Sequence, residues 1–152
     1  MRLAPVLLAV AAFGVAVAGS PAAPARAGTA FDHDALGEEF CRLTVAGDLA
    51  HLRPLLSRQL AAALDRAARN PALPPSEVLF QTYLTPMPRC SARTVNAALV
   101  QITRSQADGT GWTDYIVVVP EPDGQTRIDD VLFAIRKSDT LMSRLQALAS
   151  RG

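Results

Sequence analysis

Trp112-Thr113-Asp114-Tyr115-Ile116-Val117-Val118-Val119, then Pro120-Glu121-Pro122-Asp123-Gly124, then Thr126-Arg127-Ile128-Asp129-Asp130-Val131-Leu132-Phe133-Ala134-Ile135: this stretch decides the fold class. Two runs rich in β-branched and aromatic residues flank a turn carrying Pro, Asp and Gly, which predicts an antiparallel hairpin. Just upstream, Asp108-Gly109 and Gly111 give a second turn signal. Before that turn, Val95, Ala97, Leu99 and Gln101 alternate with Asn96, Ala98, Val100 and Ile102, which predicts one strand from Thr94 to Ile102. The expected sheet is therefore a meander of at least three strands. Ile116 to Val119 and Val131 to Ile135 are apolar at consecutive positions. This reading puts apolar side chains on both sheet faces and expects Ile116, Val118, Val131 and Phe133 all to be buried. One face would take helices; the other would need the last helix, a loop or a second copy of the chain, so a homodimer is among the expectations.

Working outward, Asp32 and Asp34 precede Leu36, Phe40 and Leu43 at helical spacing, and Gly47 follows Ala46. Acids at the positive end and a terminal glycine predict a helix from Asp34 to Ala46. Asp48 can cap a shorter helix through Leu49, Leu52, Leu55 and Leu56, interrupted by Pro54. Ser57 can cap a third helix carrying Leu60 and Leu64, which Asn70-Pro71 ends. Residues 71–94 hold five prolines (Pro71, Pro74, Pro75, Pro86, Pro88), which excludes a long helix there. Within them Val78 to Tyr83 reads equally as a helical turn or a short strand. After the sheet, Ser138 can cap a last helix with Leu141, Met142, Leu145 and Leu148 as its apolar stripe. Helices segregated from strands define an α+β class: three N-terminal helices on a curved antiparallel sheet, then a C-terminal helix.

The first 27 residues read as a cleavable leader. Arg2 is followed by an apolar run from Leu3 to Ala18, and Ala25-Arg26-Ala27 has the small-x-small form of a signal-peptidase site, with Ala16-Val17-Ala18 as a second cut. The run is shorter than the ~20 residues of a membrane span, and no cysteine follows it for a lipid anchor. This places the remaining single domain, 28–152, in the periplasm or outside the cell, with no membrane attachment once the leader is gone. In such a compartment the two cysteines, Cys41 and Cys90, read as one disulfide, worth roughly 4 kcal/mol for a loop of that length. A metal site is the weaker alternative, because neither cysteine has a second nearby.

The chain carries Lys+Arg 15 against Asp+Glu 14, and without the leader's Arg2 and Arg26 the balance is one acid in excess. A near-neutral domain lacks the basic surface that nucleic acid or an anionic membrane would need. Lys137 is the lone lysine among many arginines and alanines, a bias expected of a GC-rich genome.

The helices with their Gly47-Asp48-Leu49 to Leu55-Leu56-Ser57 step, the meander, and the strand Arg127-Ile128-Asp129-Asp130-Val131 together resemble the nuclear-transport-factor-2-like superfamily (cystatin-like α+β roll), and more narrowly its exported bacterial members of unknown function. The likeness covers roughly residues 32–135 and is one of order and pattern. It implies a pocket between helices and sheet; the extra helix after Ser138 departs from it. Enzymes of this superfamily use a pocket aspartate with a tyrosine or histidine partner, and a shared fold does not transfer that activity.

Candidate chemistry is sparse. Asp114, Asp129 and Asp130 are the acids within the apolar strands, and Asp114 and Asp130 are the nominal catalytic candidates. Neighbours on a regular strand face opposite ways, so Asp114 and Tyr115 cannot both line one cavity, nor can Asp129 and Asp130. Trp112, Tyr115 and Tyr83 are the aromatic residues that could rim a pocket. Asp32-His33-Asp34 looks like a metal triplet but needs converging ligands, and His51 is the other histidine in the chain. Ser57, Ser76, Ser91 and Ser138 sit in no nucleophile elbow, and Gly109-Thr110-Gly111 joins two strands instead of opening a helix. The expectation is an exported binding or interaction domain without cofactor or metal, whose partner is an unidentified protein or small molecule. The alternatives are an isomerase, dehydratase or hydrolase using one pocket aspartate, and an inhibitor or immunity protein acting through the Thr85-Pro86-Met87-Pro88 loop.

Overall fold

A computed structural model describes residues 32–82, 89–134 and 138–151. The leader, Tyr83, the loop at 85–88 and Ile135 lie outside the described residues. Helix α1 spans Asp34–Ala46 and stops at Gly47 as the sequence indicates. Asp48 then caps α2 (Leu49–Leu52) by accepting from the His51 amide at 3.1 Å, and Pro54 turns the following residues Arg53–Leu55 into a single 3-10 turn. Ser57 caps α3 (Arg58–Ala67) through the Leu60 amide. Residues Val78 to Leu79, undecided from sequence, belong to a single helical turn, α4 (Ser76–Leu79).

The sheet is a four-stranded antiparallel meander in the order β1 (Arg89–Asn96), β2 (Leu99–Ser105), β3 (Gly111–Pro120), β4 (Thr126–Leu132). The strand expected over Thr94 to Ile102 is therefore two strands. They are joined at Ala97-Ala98, with the Ala98 amide bonded to the Asn96 side chain at 2.9 Å. The alternation hid this turn because Thr94 pairs with Val100 and the two have the same parity, with exposed Asn96 and Ala98 between them. The other two turns share one construction. Gly109 and Gly124 have φ of +85° and +81°, where a Cβ is disfavoured, and Asp108 and Asp123 each accept the amide two residues on.

Burial follows one face. Val100, Ile102, Ile116, Val118, Ile128 and Val131 are at most 1% exposed, against Phe40 and Leu43 of α1 and Leu60 and Leu64 of α3. The expected burial of Ile116, Val118, Val131 and Phe133 is present, but its explanation changes: all four share this face. A bulge shifts the register so that Val117 pairs with Asp130 and Val118 with Ile128, leaving Asp129 as the extra residue. The opposite face, with Leu99, Tyr115, Val117, Val119 and Leu132, is half-buried. The last helix, α5 (Leu141–Ala149), does not cover it; Leu141 and Leu145 join the same core as α3. Its cap is Thr140, not Ser138, in a reciprocal capping box with Ser143.

Gly37 and Cys41 hold the middle of α1 against the sheet. A Cβ on Gly37 would lie 2.5 Å from the Cβ of Ala92, so only glycine permits this approach. One turn on, Cys41 is bonded to Cys90, with Cα atoms 5.6 Å apart, in the normal disulfide range of about 4.4–6.8 Å. Among the described residues no helix is long and apolar enough to cross a membrane.

Candidate functional site

Asp114 faces the helices, as a pocket aspartate would, but it sits within the core. Its Oδ2 accepts from Arg104 Nη1 at 2.5 Å and from Trp112 Nε1 at 3.2 Å, and its Oδ1 accepts from the Ala134 amide at 3.0 Å. Arg104 and Asp114 are both fully buried. Arg104 Nη2 also donates to Thr44 Oγ1 at 3.3 Å, and the guanidinium lies 5.8 Å from the Phe40 ring centroid. Burial pulls the Arg104 guanidinium below its ordinary value, and the adjacent carboxylate opposes that shift. The ion pair thus occupies the space between helices and sheet where the family likeness implied a pocket.

The other strand acids anchor helices. Asp129, the bulge residue, accepts the Ser57 hydroxyl at 2.6 Å, while the Ser57 amide donates to Ile128 O at 2.7 Å. Asp130 accepts the Met142 amide at 2.9 Å, at the start of α5, where a carboxylate is favoured by the helix dipole. Trp112 and Tyr115 differ in parity on β3 and fall on opposite faces, so they do not form one stacking platform. Asp34 takes the Thr94 amide and hydroxyl at 2.5 and 2.6 Å, and His33 Nε2 lies 3.2 Å from Ala97 O. The triplet therefore fastens α1 to the β1–β2 turn. His51 pairs with Asp48 at 2.7 Å. No group of three His, Cys, Asp or Glu able to hold a metal ion occurs among the described residues.

A different place has the form of a binding site. A cleft of about 400 Å³ lies between the 74–81 segment and α5, lined by Pro74, Val78 and Gln81 on one side and Arg144, Leu148 and Arg151 on the other. That volume is within the usual ligand-pocket range of roughly 300–1,000 Å³. Val78 is 49% exposed there, whereas Leu79 beside it is buried. Arg144 holds the two walls together: it clamps Asp139 through Nε and Nη2, donates to Leu79 O at 2.9 Å, and stacks 3.8 Å over the Phe133 ring. Gln81 is the anomaly. It has φ of +58°, is 7% exposed, and its Oε1 accepts no hydrogen bond. A buried acceptor left without a donor costs about 1–3 kcal/mol, and such outliers concentrate where a protein binds something.

Comparison with protein-family models, characterised proteins and solved structures gives no match.

The cleft was absent from the sequence reading. One signal was present: Arg144, Leu148 and Arg151 recur at i, i+4 and i+7, a single helical face with a cation at each end. Its opposing wall came from the proline-rich stretch whose structure could not be assigned.

Proposed function

We propose that this chain is an exported binding domain, built on a nuclear-transport-factor-2-like plan, whose ligand site is the cleft between α4 and α5. The leader pattern and the Cys41–Cys90 bridge support export to an oxidising compartment. Four antiparallel strands preceded by helices support the fold likeness, and α5 is the departure from it. One observation carries the binding reading: the strand acids already have structural partners, while the cleft leaves a polar group and an apolar wall unpartnered.

Complementation of a deletion strain separates this reading from an enzyme with a pocket aspartate. Val78→Glu should abolish function at an unchanged melting temperature, and Asp129→Asn and Asp130→Asn should act only through lowered stability. The opposite pattern, with one Asp→Asn variant inactive at a native melting temperature, would replace the binding reading with the catalytic one. N-terminal sequencing of protein recovered from the periplasm tests export, and an intact Met1 there would contradict it.

A further inference from the structure

The outer face of the sheet is apolar at one end, and no described helix packs on it. Val95, Leu99, Tyr115, Val117, Val119 and Leu132 lie there outside the core, and Val95 is 48% exposed. The helices bury their apolar residues on the opposite face. Leu99 is beside Val117 and Tyr115 beside Leu132, whereas Ser91, Thr103 and Thr113 form a polar row further along. This face also has one charge at each lateral edge. On β1, Arg93 makes no ion pair among the described residues; its one side-chain bond is to Gln101 Oε1 at 3.3 Å. On β4, Asp130 uses Oδ1 for the Val131 and Met142 amides, and its Oδ2 has no donor among the described residues.

We propose that two copies of this chain pack through this face, sheet against sheet, with Arg93 of each copy paired to Asp130 of the other. Sheets packed face to face keep their strands within about 30° of each other. A two-fold axis running along the strands between β2 and β3 exchanges β1 with β4 and β2 with β3. Val117 then lies over the second copy's Leu99, and Tyr115 over its Gln101. The same operation sets the cationic β1 edge over the anionic β4 edge, twice. This self-complementarity selects a second copy as the occupant, because one surface supplies both charges and an apolar centre between them. The strand edges offer no equivalent route. The β4 edge is bridged by Leu56 and Thr140, and the Thr94 amide on β1 is taken by Asp34. Antiparallel pairing of two β1 strands about Ser91 would also set Arg89 against the second copy's Arg93, a like-charge pair. Four strands about 4.8 Å apart, rising about 3.3 Å per residue, give roughly 900 Å² in plan over two copies. That lies at the small end of specific interfaces, so the dimer is reversible.

The test is sedimentation velocity on the oxidised mature protein from about 5 to 500 µM, a range in which the wild type should pass from monomer to dimer. Val117→Arg, at the apolar centre, should stay monomeric throughout and keep the melting temperature of dilute wild type. Arg93→Glu and Asp130→Lys should each self-associate about tenfold or more weakly than wild type, because each homodimer then holds two like-charge contacts. Mixed together, the two variants should form a heterodimer about as tight as the wild-type pair, since both cross-copy contacts are then attractive. A wild type that is monomeric at the highest concentration, a dimer that survives Val117→Arg, or a mixture no tighter than its components would overturn the proposal. Asp130 also caps α5, so Arg93→Glu decides alone if Asp130→Lys does not fold: undiminished self-association of that variant overturns the pairing, and the tenfold weakening supports it. The cleft reading is separate from this result and depends on the Val78→Glu complementation.

Discussion

Two of the places where polar side chains are buried treat them differently. Between helices and sheet, Asp114 has a donor for each oxygen, and Arg104 lacks a partner only at Nε. Beside α5, Gln81 is nearly as buried, its backbone is in the left-handed region, and Oε1 has no donor. A buried network with nearly all its bonds made holds a fold in one arrangement; a buried group with bonds unmade is stable only because its surroundings hold it. The first region is scaffold. The second has unused bonding capacity at the edge of an open cleft.

Substitutions should expose the contrast. The largest effect belongs to the scaffold: Asp114→Ala leaves Arg104 as an unpaired buried charge and should cost about 3–5 kcal/mol in urea unfolding. The double variant Arg104→Met with Asp114→Val should recover most of that loss. A double variant as unstable as the single one would mean that the pair, and not the isolated charge, sets the stability. Next comes the Cys41–Cys90 bridge. Replacing both cysteines by serine should lower stability by roughly 2–5 kcal/mol, and thiol titration of the denatured, unreduced wild type should find no free thiol. At the cleft the sign should reverse. Gln81→Gly accommodates the positive φ and removes the orphaned acceptor, so it should raise stability by about 1 kcal/mol while weakening ligand binding. A destabilised Gly variant would show that Gln81 is held by packing stronger than its strain.

The smallest effect is at the α1–hairpin junction. The Thr94 hydroxyl and amide bonds hold the Asp34 carboxyl below the ordinary 3.8 of an aspartate. A depressed folded-state value means that this contact contributes above the unfolded pKa and is lost as pH falls through the lower folded value. Stability should therefore decline below about pH 3.8 partly through Asp34, and Thr94→Val should flatten that part of the slope. Carbon-detected NMR titration of the Asp34 side chain checks the direction.

Local signals explain what could be read in advance. The helix from Asp34 to Ala46, the caps at Asp48 and Ser57 and the turns at Asp108-Gly109 and Asp123-Gly124 depend on residues within a few positions of one another. The disulfide was legible from the expectation of export and the even count of cysteines. Pairing-dependent features were not. Asp129 becomes a bulge only because of its register with Val117 and Val118, and Thr140 supersedes Ser138 as a cap through its bond to Ser143. The Arg104–Asp114 pair lay within reach: folding the chain at Asp108-Gly109 sets Arg104 opposite Trp112, one diagonal step from Asp114. Gln81 was beyond reach, because neither a dihedral angle nor a missing donor is written in residue identity.

Every strand here pairs with its neighbour in sequence, so the sheet has consequences for the rate of folding as well as for shape. Each pairing requires closing only a short loop, which keeps the entropic barrier to the meander low. The slow contacts are those that bring α3 back to β4, such as Ser57 to Asp129 across 72 positions. The meander is thus suited to form early as a template. The helices dock on the face that carries Val100, Ile102, Ile116 and Val118, and closing the 74–81 segment onto α5, as in the Arg144 to Leu79 bond across 65 positions, carries an entropic cost similar to that of Ser57 to Asp129.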